Sequence, residues 1–409
     1  MPDAAIVSSG SELMYGRVQD ENACFLSGRL FERGFTVRAH MAVGDSREDI
    51  ARAVADAMRI APLVLFTGGL GPTDDDLTTE TLAGMFGLAL EIHGPSRTRM
   101  DDFFASMKRV VLRTDFKMVT VPRGAFVFPN EVGLAAGYAL ENEGRILVVM
   151  PGVPREMRRM FDAHVAAYLE KHFHLPPRGF LVARVILTRE AEVNGAVLGL
   201  GKLLDNVEWG ITTRPGINTV TFLQKAGHDL PAGELADGLR RALGDNMLAI
   251  SSPSLEDELI SLLRERNLTL ACAESCTGGY IAKRITDVPG SSDVFLGGVV
   301  AYSNALKTSM LGVPASLIQE HGAVSVEVAA SMARGMRERI GAHIAVSTTG
   351  IAGPGGGSAQ KPVGTVCFGI SAPHATWTHT TVIRGDRERV RALASLQALN
   401  YARTYCISI

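Results

Sequence analysis

The chain has 409 residues, 46% of them hydrophobic, with Lys+Arg 41 against Asp+Glu 43 and a net charge of −2. That length predicts two or three domains with separate cores. The charge balance excludes a global attraction to anionic membranes and argues against direct nucleic-acid binding. Five scattered cysteines (Cys24, Cys272, Cys276, Cys367 and Cys406) argue against a disulfide framework and fit a reducing cytoplasm. The opening residues lack the basic-then-apolar order of a secretory signal. The charge-free stretches 341–360 and 362–383 are broken by Gly, Pro, Ser and Thr, so no membrane span is expected.

In chain order, Ala4–Ser8 reads as a strand, Asn22–Arg33 as a helix, Thr36–Val43 as a strand, Arg47–Ile60 as a helix and Leu63–Thr67 as a strand. This alternation predicts a parallel, helix-covered sheet. The strand at Leu63 runs into a loop with Gly68, Gly69 and Gly71, then the acidic run Asp74, Asp75 and Asp76. Open α/β sheets bind ligands beyond the carboxyl ends of their strands, which is where this loop falls. The glycines permit close approach to a ligand, and the aspartates offer hard oxygen ligands to a divalent cation. The alternatives are a helix cap at Asp76 or a solvated acidic cluster. Asn130 lies in a second loop, and Arg145–Met150 is a further buried strand entering a Pro-Gly turn and a helix to about Lys171.

Pro176–Gly179 reads as a linker, and Phe180–Ile250 as a small α+β module with no visible catalytic feature, a spacer or dimer-forming piece. At the next boundary, Ser254 with Asp257 marks a helix start, with Leu255, Leu259, Leu262 and Leu263 as its apolar stripe. A short apolar strand ending near Ala271 then leads to Glu274, Ser275, Cys276, Thr277, Gly278 and Gly279, with helical spacing from Tyr280 onward. A helix N-terminus with adjacent glycines suits an oxyanion or a phosphate; the other reading makes Ser275 or Thr277 only an N-cap. Two further segments stand out: Gly297–Lys307, a strand entering a helix that carries Lys307, and the Gly-rich loop with Gly353, Gly355 and Gly356.

These motifs resemble the CinA, or competence/damage-inducible, family. The resemblance rests on Ala273–Gly279 (AESCTGG), Val300–Lys307 (VAYSNALK), His321–Ser325 (HGAVS), Gly350–Gly357 (GIAGPGGG), Lys361–Thr365 (KPVGT), Gly385-Asp386-Arg387 and, in the first domain, Gly68–Thr78 (GGLGPTDDDLT). It implies an α/β chain with a molybdopterin-binding-like domain over 1–175, a KH-like module over 176–250 and an amidohydrolase domain over 251–409. The last is similar to nicotinamide mononucleotide deamidase, which forms nicotinate mononucleotide and ammonia. Some members carry a metal-dependent ADP-ribose pyrophosphatase in the first domain. The rival classes are a non-catalytic nucleotide or pterin binder in that domain, and a competence factor acting through partners.

Amide hydrolysis needs a nucleophile, a base and an oxyanion stabiliser. No metal-ligand cluster marks the third domain, so no cofactor is expected there, and a Ser-Lys arrangement replaces Ser-His-Asp. Carried over by the motifs, Ser275 is the nucleophile and Lys307 the base, directly or through Tyr302, with Thr277 to Gly279 as the oxyanion hole. Glu274, Asn304, Gly353, Gly355, Gly356 and Arg387 are expected at the substrate. In the first domain Gly10, Glu12, Gly68, Gly69, Gly71 and Asn130 are expected around a nucleotide, with a divalent cation on Asp74, Asp75 and Asp76. The expected ligands are nicotinamide mononucleotide and ADP-ribose, and the expected assembly is a homodimer. The first domain departs from the family at Asp20-Glu21-Asn22 and at Ala136, where members tend to carry Asn-Thr-Asn and proline.

Overall fold

The structure is a computed structural model and describes residues 2–173, 175, 179–225 and 227–409. The linker read at 176–179 lies outside the described residues except for Gly179. The chain divides into two compact units, Met1–Gly179 and Phe180–Ile409.

The first unit is built on β1 (Asp3–Ser9), β2 (Thr36–Val43) and β3 (Leu63–Thr67), a short pair β4 (Leu90–Ile92) and β5 (Thr120–Pro122), then β6 (Phe126–Phe128), β7 (Gly137–Asn142) and β8 (Arg145–Met150). The main sheet has the order β2-β1-β3-β8-β7-β6, with its first four strands parallel and β6 and β7 antiparallel. Side chains alternate across the pleat. Ala4, Ile6, Leu63, Leu65 and Val148 pack into one core, and Ala5, Val7, Val64, Phe66 and Leu147 into another on the opposite face. Burial on both faces explains the uninterrupted apolar runs of these strands.

The second unit contains a three-stranded antiparallel sheet of β9 (Phe180–Ile186), β10 (Val207–Arg214) and β11 (Ile217–Gln224), ordered β10-β11-β9. It also contains a five-stranded sheet of β12 (Leu270–Glu274), β13 (Phe295–Val300), β14 (Ile344–Gly350), β15 (Thr365–Ala372) and β16 (Ala375–Val382), ordered β13-β12-β14-β15-β16. β12 lies parallel to both its neighbours, so its carboxyl end opens where β13 and β14 also end. Ile186 and Leu248, from the small module, join the core beneath this sheet. The buried Arg403 donates to Glu258 at 2.8 Å, to Asn400 at 2.9 Å and to the Asp245 carbonyl at 2.7 Å. A charge buried with that many partners ties the module to the sheet at one geometry.

Candidate active site

Glu274 ends β12 and is fully buried. Its carboxylate accepts from the N–H groups of Gly279 (3.0 Å), Ile281 (3.1 Å) and Ala282 (3.0 Å) and from the Cys272 thiol at 3.6 Å. Expected at the substrate, Glu274 instead draws the chain into a tight turn and caps the helix Tyr280–Thr286, because both its oxygens are engaged within the protein. The turn requires left-handed backbone at Gly278 (φ 59) and Gly279 (φ 94).

Ser275 stands at the head of this turn, its N–H donating to the Thr348 carbonyl at 2.9 Å. Lys307, on the helix Asn304–Leu311, brings Nζ to 3.1 Å from Ser275 Oγ while remaining 2% exposed. Nζ also lies 3.0 Å from the Ala301 carbonyl and 3.4 Å from that of Tyr302. Burial pushes the Lys307 ammonium below the usual lysine range. A neutral amine has two N–H groups and one lone pair. In that form, with both N–H groups on the two carbonyls, the lone pair would face the Ser275 hydroxyl.

The Tyr302 side chain is exposed, and its hydroxyl pairs with Arg387 at 2.9 Å. The contact between Lys307 and Ser275 is direct, so Tyr302 is not interposed. The same guanidinium donates to the Gly353 carbonyl at 2.9 Å, which draws the Gly-rich loop toward Tyr302. Gly355, Gly356 and Asn304 are exposed and have no side-chain partner among the described residues.

The oxyanion hole needs redrawing. The Gly278 N–H donates to the Ser275 carbonyl and that of Gly279 to Glu274, so neither is free. Among the described residues the N–H groups of Cys276 and Thr277 have no backbone acceptor. Thr277 is buried with its hydroxyl 2.7 Å from that of Thr348. The Cys276 thiol is pushed up to about 12 by burial, which keeps it protonated. His321, within the HGAVS motif, faces Glu320 and Glu327 rather than Ser275. Lys361 donates to the His321 and Val324 carbonyls and braces that motif against the Gly-rich loop.

In the first unit a cleft of about 1040 Å³ lies beyond the carboxyl ends of the strands. Gly10, Glu12, Gly68, Gly69, Gly71, Asp75 and Asp76 line it, while Asn130 and Asp74 do not. The Asn130 amide donates to the Ala135 carbonyl and to Glu156 and accepts from the Val132 and Gly133 N–H groups, so it builds its own loop. The acidic run does not gather into a metal site. Asp76 accepts from the Thr73 N–H (2.9 Å) and hydroxyl (2.6 Å), and Asp75 accepts from that same hydroxyl, which lowers its pKa. Among the described residues no three His, Cys, Asp or Glu side chains come together to hold an ion. Two groups that the sequence reading did not place in the site, Ser9 Oγ and Asn22 Oδ1, are buried without a hydrogen-bond partner among the described residues and line this cleft.

Two family models match the chain: the CinA C-terminal domain over residues 252–406 and a molybdopterin binding domain over residues 5–171. A CinA-like protein of Geobacter sp. (strain M21) is 40% identical over 408 residues, covering 99% of this chain and 97% of the relative. Another CinA-like protein, of Geotalea uraniireducens, is 38% identical and covers 99% of this chain and 98% of its own. Among solved structures, a competence/damage inducible protein from Agrobacterium tumefaciens is 38% identical, covering 38% of this chain and 96% of that one, with a TM-score of 0.36. No helix of the described residues is long and apolar enough to cross a membrane. With relatives this similar over nearly their whole length, the chain belongs to the CinA family.

Proposed function

We propose that the second unit hydrolyses the carboxamide of nicotinamide mononucleotide to nicotinate mononucleotide and ammonia. The observation that carries the amidase chemistry is the buried Lys307 Nζ at 3.1 Å from Ser275 Oγ. The choice of nicotinamide nucleotide rests on the family motifs. Neutral Lys307 takes the Ser275 proton as Oγ attacks the amide carbon, and the oxyanion falls to the N–H groups of Cys276 and Thr277. The protonated lysine then delivers its proton to the departing nitrogen, and ammonia leaves an acyl ester on Ser275. Water attacks that ester with Lys307 again as base, which returns the serine. Arg387, with Asn304 and the loop at Gly353–Gly356, is the proposed grip on the ribose phosphate. The test is ammonia release from nicotinamide mononucleotide by the full chain, with Ser275→Ala as the blank. Wild-type release at the Ser275→Ala level would overturn the reading.

For the cleft of the first unit we propose a nucleotide ligand, ADP-ribose first. Ser9 Oγ, a donor, and Asn22 Oδ1, an acceptor, favour a polar ligand there, because buried polar groups are nearly always paired. The aspartates do not converge, so no metal-dependent step is assigned to them. Titration calorimetry with ADP-ribose, with and without a divalent cation, tests this reading. An absence of heat in both would reject it. A homodimer is the proposed assembly, to be checked by light scattering.

A further inference from the structure

The turn that carries Ser275 is held from outside by a residue no motif pointed to. Arg391 lies on the helix Arg387–Ser408, 114 residues beyond Thr277 in sequence. Its guanidinium donates twice to the Thr277 carbonyl, from Nε at 3.2 Å and from an Nη at 2.9 Å. It also sits over the Tyr280 ring, 5.3 Å from the centroid, inside the roughly 6 Å reach of a cation–π contact. A Cβ on Gly278 would come within 3.2 Å of the same guanidinium, so glycine there gives Arg391 its path as well as the turn its φ.

The chemistry of that contact is specific. The Thr277 carbonyl accepts from Arg391 and, at 3.4 Å, from the Tyr280 N–H, while the Thr277 N–H has no backbone acceptor among the described residues. That carbonyl shares a peptide plane with the Gly278 N–H, which donates to the Ser275 carbonyl at 3.2 Å, so the contact fixes the peptide that closes the turn in which the Cys276 and Thr277 N–H groups sit. Arg391 is also a permanent positive charge placed behind the turn where negative charge develops.

Resting on the amidase reading above, we infer that Arg391 is a positioning residue, whose double hydrogen bond to the Thr277 carbonyl fixes the peptide that closes the Ser275–Gly278 turn and so holds the N–H groups of Cys276 and Thr277 toward the oxyanion. One turn earlier on the same helix, Arg387 holds the Gly353 carbonyl. A single helix therefore sets the nucleophile turn and the substrate loop at one distance from each other.

The test uses the full chain and two readouts. Ammonia release depends on the substrate being right; labelling of Ser275 by a fluorophosphonate does not. In that labelling Oγ bonds to phosphorus, fluoride leaves, and the phosphoryl oxygen occupies the oxyanion position. Arg391→Gln should slow labelling and lower kcat about 10- to 100-fold, with KM changed less than about threefold and an unchanged melting temperature, since a misplacement of catalytic groups by about 1 Å costs up to about 100-fold. A general structural role would move the melting temperature and leave the folded enzyme's kcat alone. Labelling and kcat within about twofold of wild type would overturn the inference. If Arg391→Gln does not fold, Arg391→Lys, which keeps the charge and the stem over Tyr280, decides. One ammonium cannot reproduce the fork, so labelling should slow by at least about threefold, and wild-type labelling would overturn the inference. Wild-type labelling of Ser275 without ammonia release would reject the substrate and leave Arg391 to be judged on labelling alone.

Discussion

Ser275→Ala removes one hydroxyl from a residue that is only 8% exposed, so the fold should survive it. Ammonia release should nonetheless fall about 10⁴-fold or more, the usual cost of losing a nucleophile. Circular dichroism and a single-turnover assay check the two halves of that statement; retention above about a tenth of wild-type activity would remove Ser275 from the mechanism. In the proposed mechanism Lys307 works as base only when neutral, and burial holds its pKa below the ordinary lysine value of about 10.4. Hence kcat/KM should rise with pH, with its midpoint below that value, and Lys307→Met should abolish the rising limb. A profile that falls through the same range would make the ammonium the working form. Cys276→Ala should cost less than about threefold, because a thiol pushed up to about 12 is not ionised near neutrality. Iodoacetamide labelling of the folded protein at pH 8 gives an independent check: Cys276 should be unreactive.

At the scale of elements, the turn after β12 depends on one buried carboxylate. Glu274→Gln puts an amide nitrogen where an oxygen accepts an N–H, so the fold should lose about 1.5–3 kcal/mol, the range for hydrogen bonds to a charged group. Urea denaturation monitored by circular dichroism measures it, and an unchanged midpoint would mean the three N–H contacts carry no net stability. The elements themselves were largely legible. Arg47–Ile60 and Leu63–Thr67 have the bounds that periodicity gives them, because amphipathic and doubly buried patterns are local signals. Ser275 and Lys307 were legible as motif residues, yet their 3.1 Å contact was not, since it depends on β12 and β13 lying side by side. Arg391 and Thr348 left no local trace at all; they meet the Ser275 turn only through the tertiary fold. The aspartate run misled for a local reason. Successive side chains in a turn diverge, and Thr73 captures Asp75 and Asp76 through short-range hydrogen bonds that a composition-based reading does not weigh.

At the scale of the molecule, the second unit is tied together by Arg403, which reaches the Asp245 carbonyl from the helix Arg387–Ser408. A fragment starting at Ser254 keeps the Glu258 partner but loses Asp245, Ile186 and Leu248. It should fold and release ammonia, yet melt several degrees below a fragment starting at Phe180. Differential scanning calorimetry on the two fragments decides, and equal melting temperatures would show that the module contributes nothing to the amidase core. Asp75→Asn with Asp76→Asn should leave ammonia release unchanged, because both residues belong to the other unit. The helix that carries Arg387, Arg391 and Arg403 also has a consequence in time. A ribosome reaches Ser275 116 residues before Arg391, a gap of roughly 6–23 s at about 5–20 residues per second. During that interval the serine and its lysine can exist on a nascent chain without the arginine that fixes the turn. A chain stalled in that interval would carry the nucleophile without the brace, so hydrolytic competence would be conferred late in synthesis.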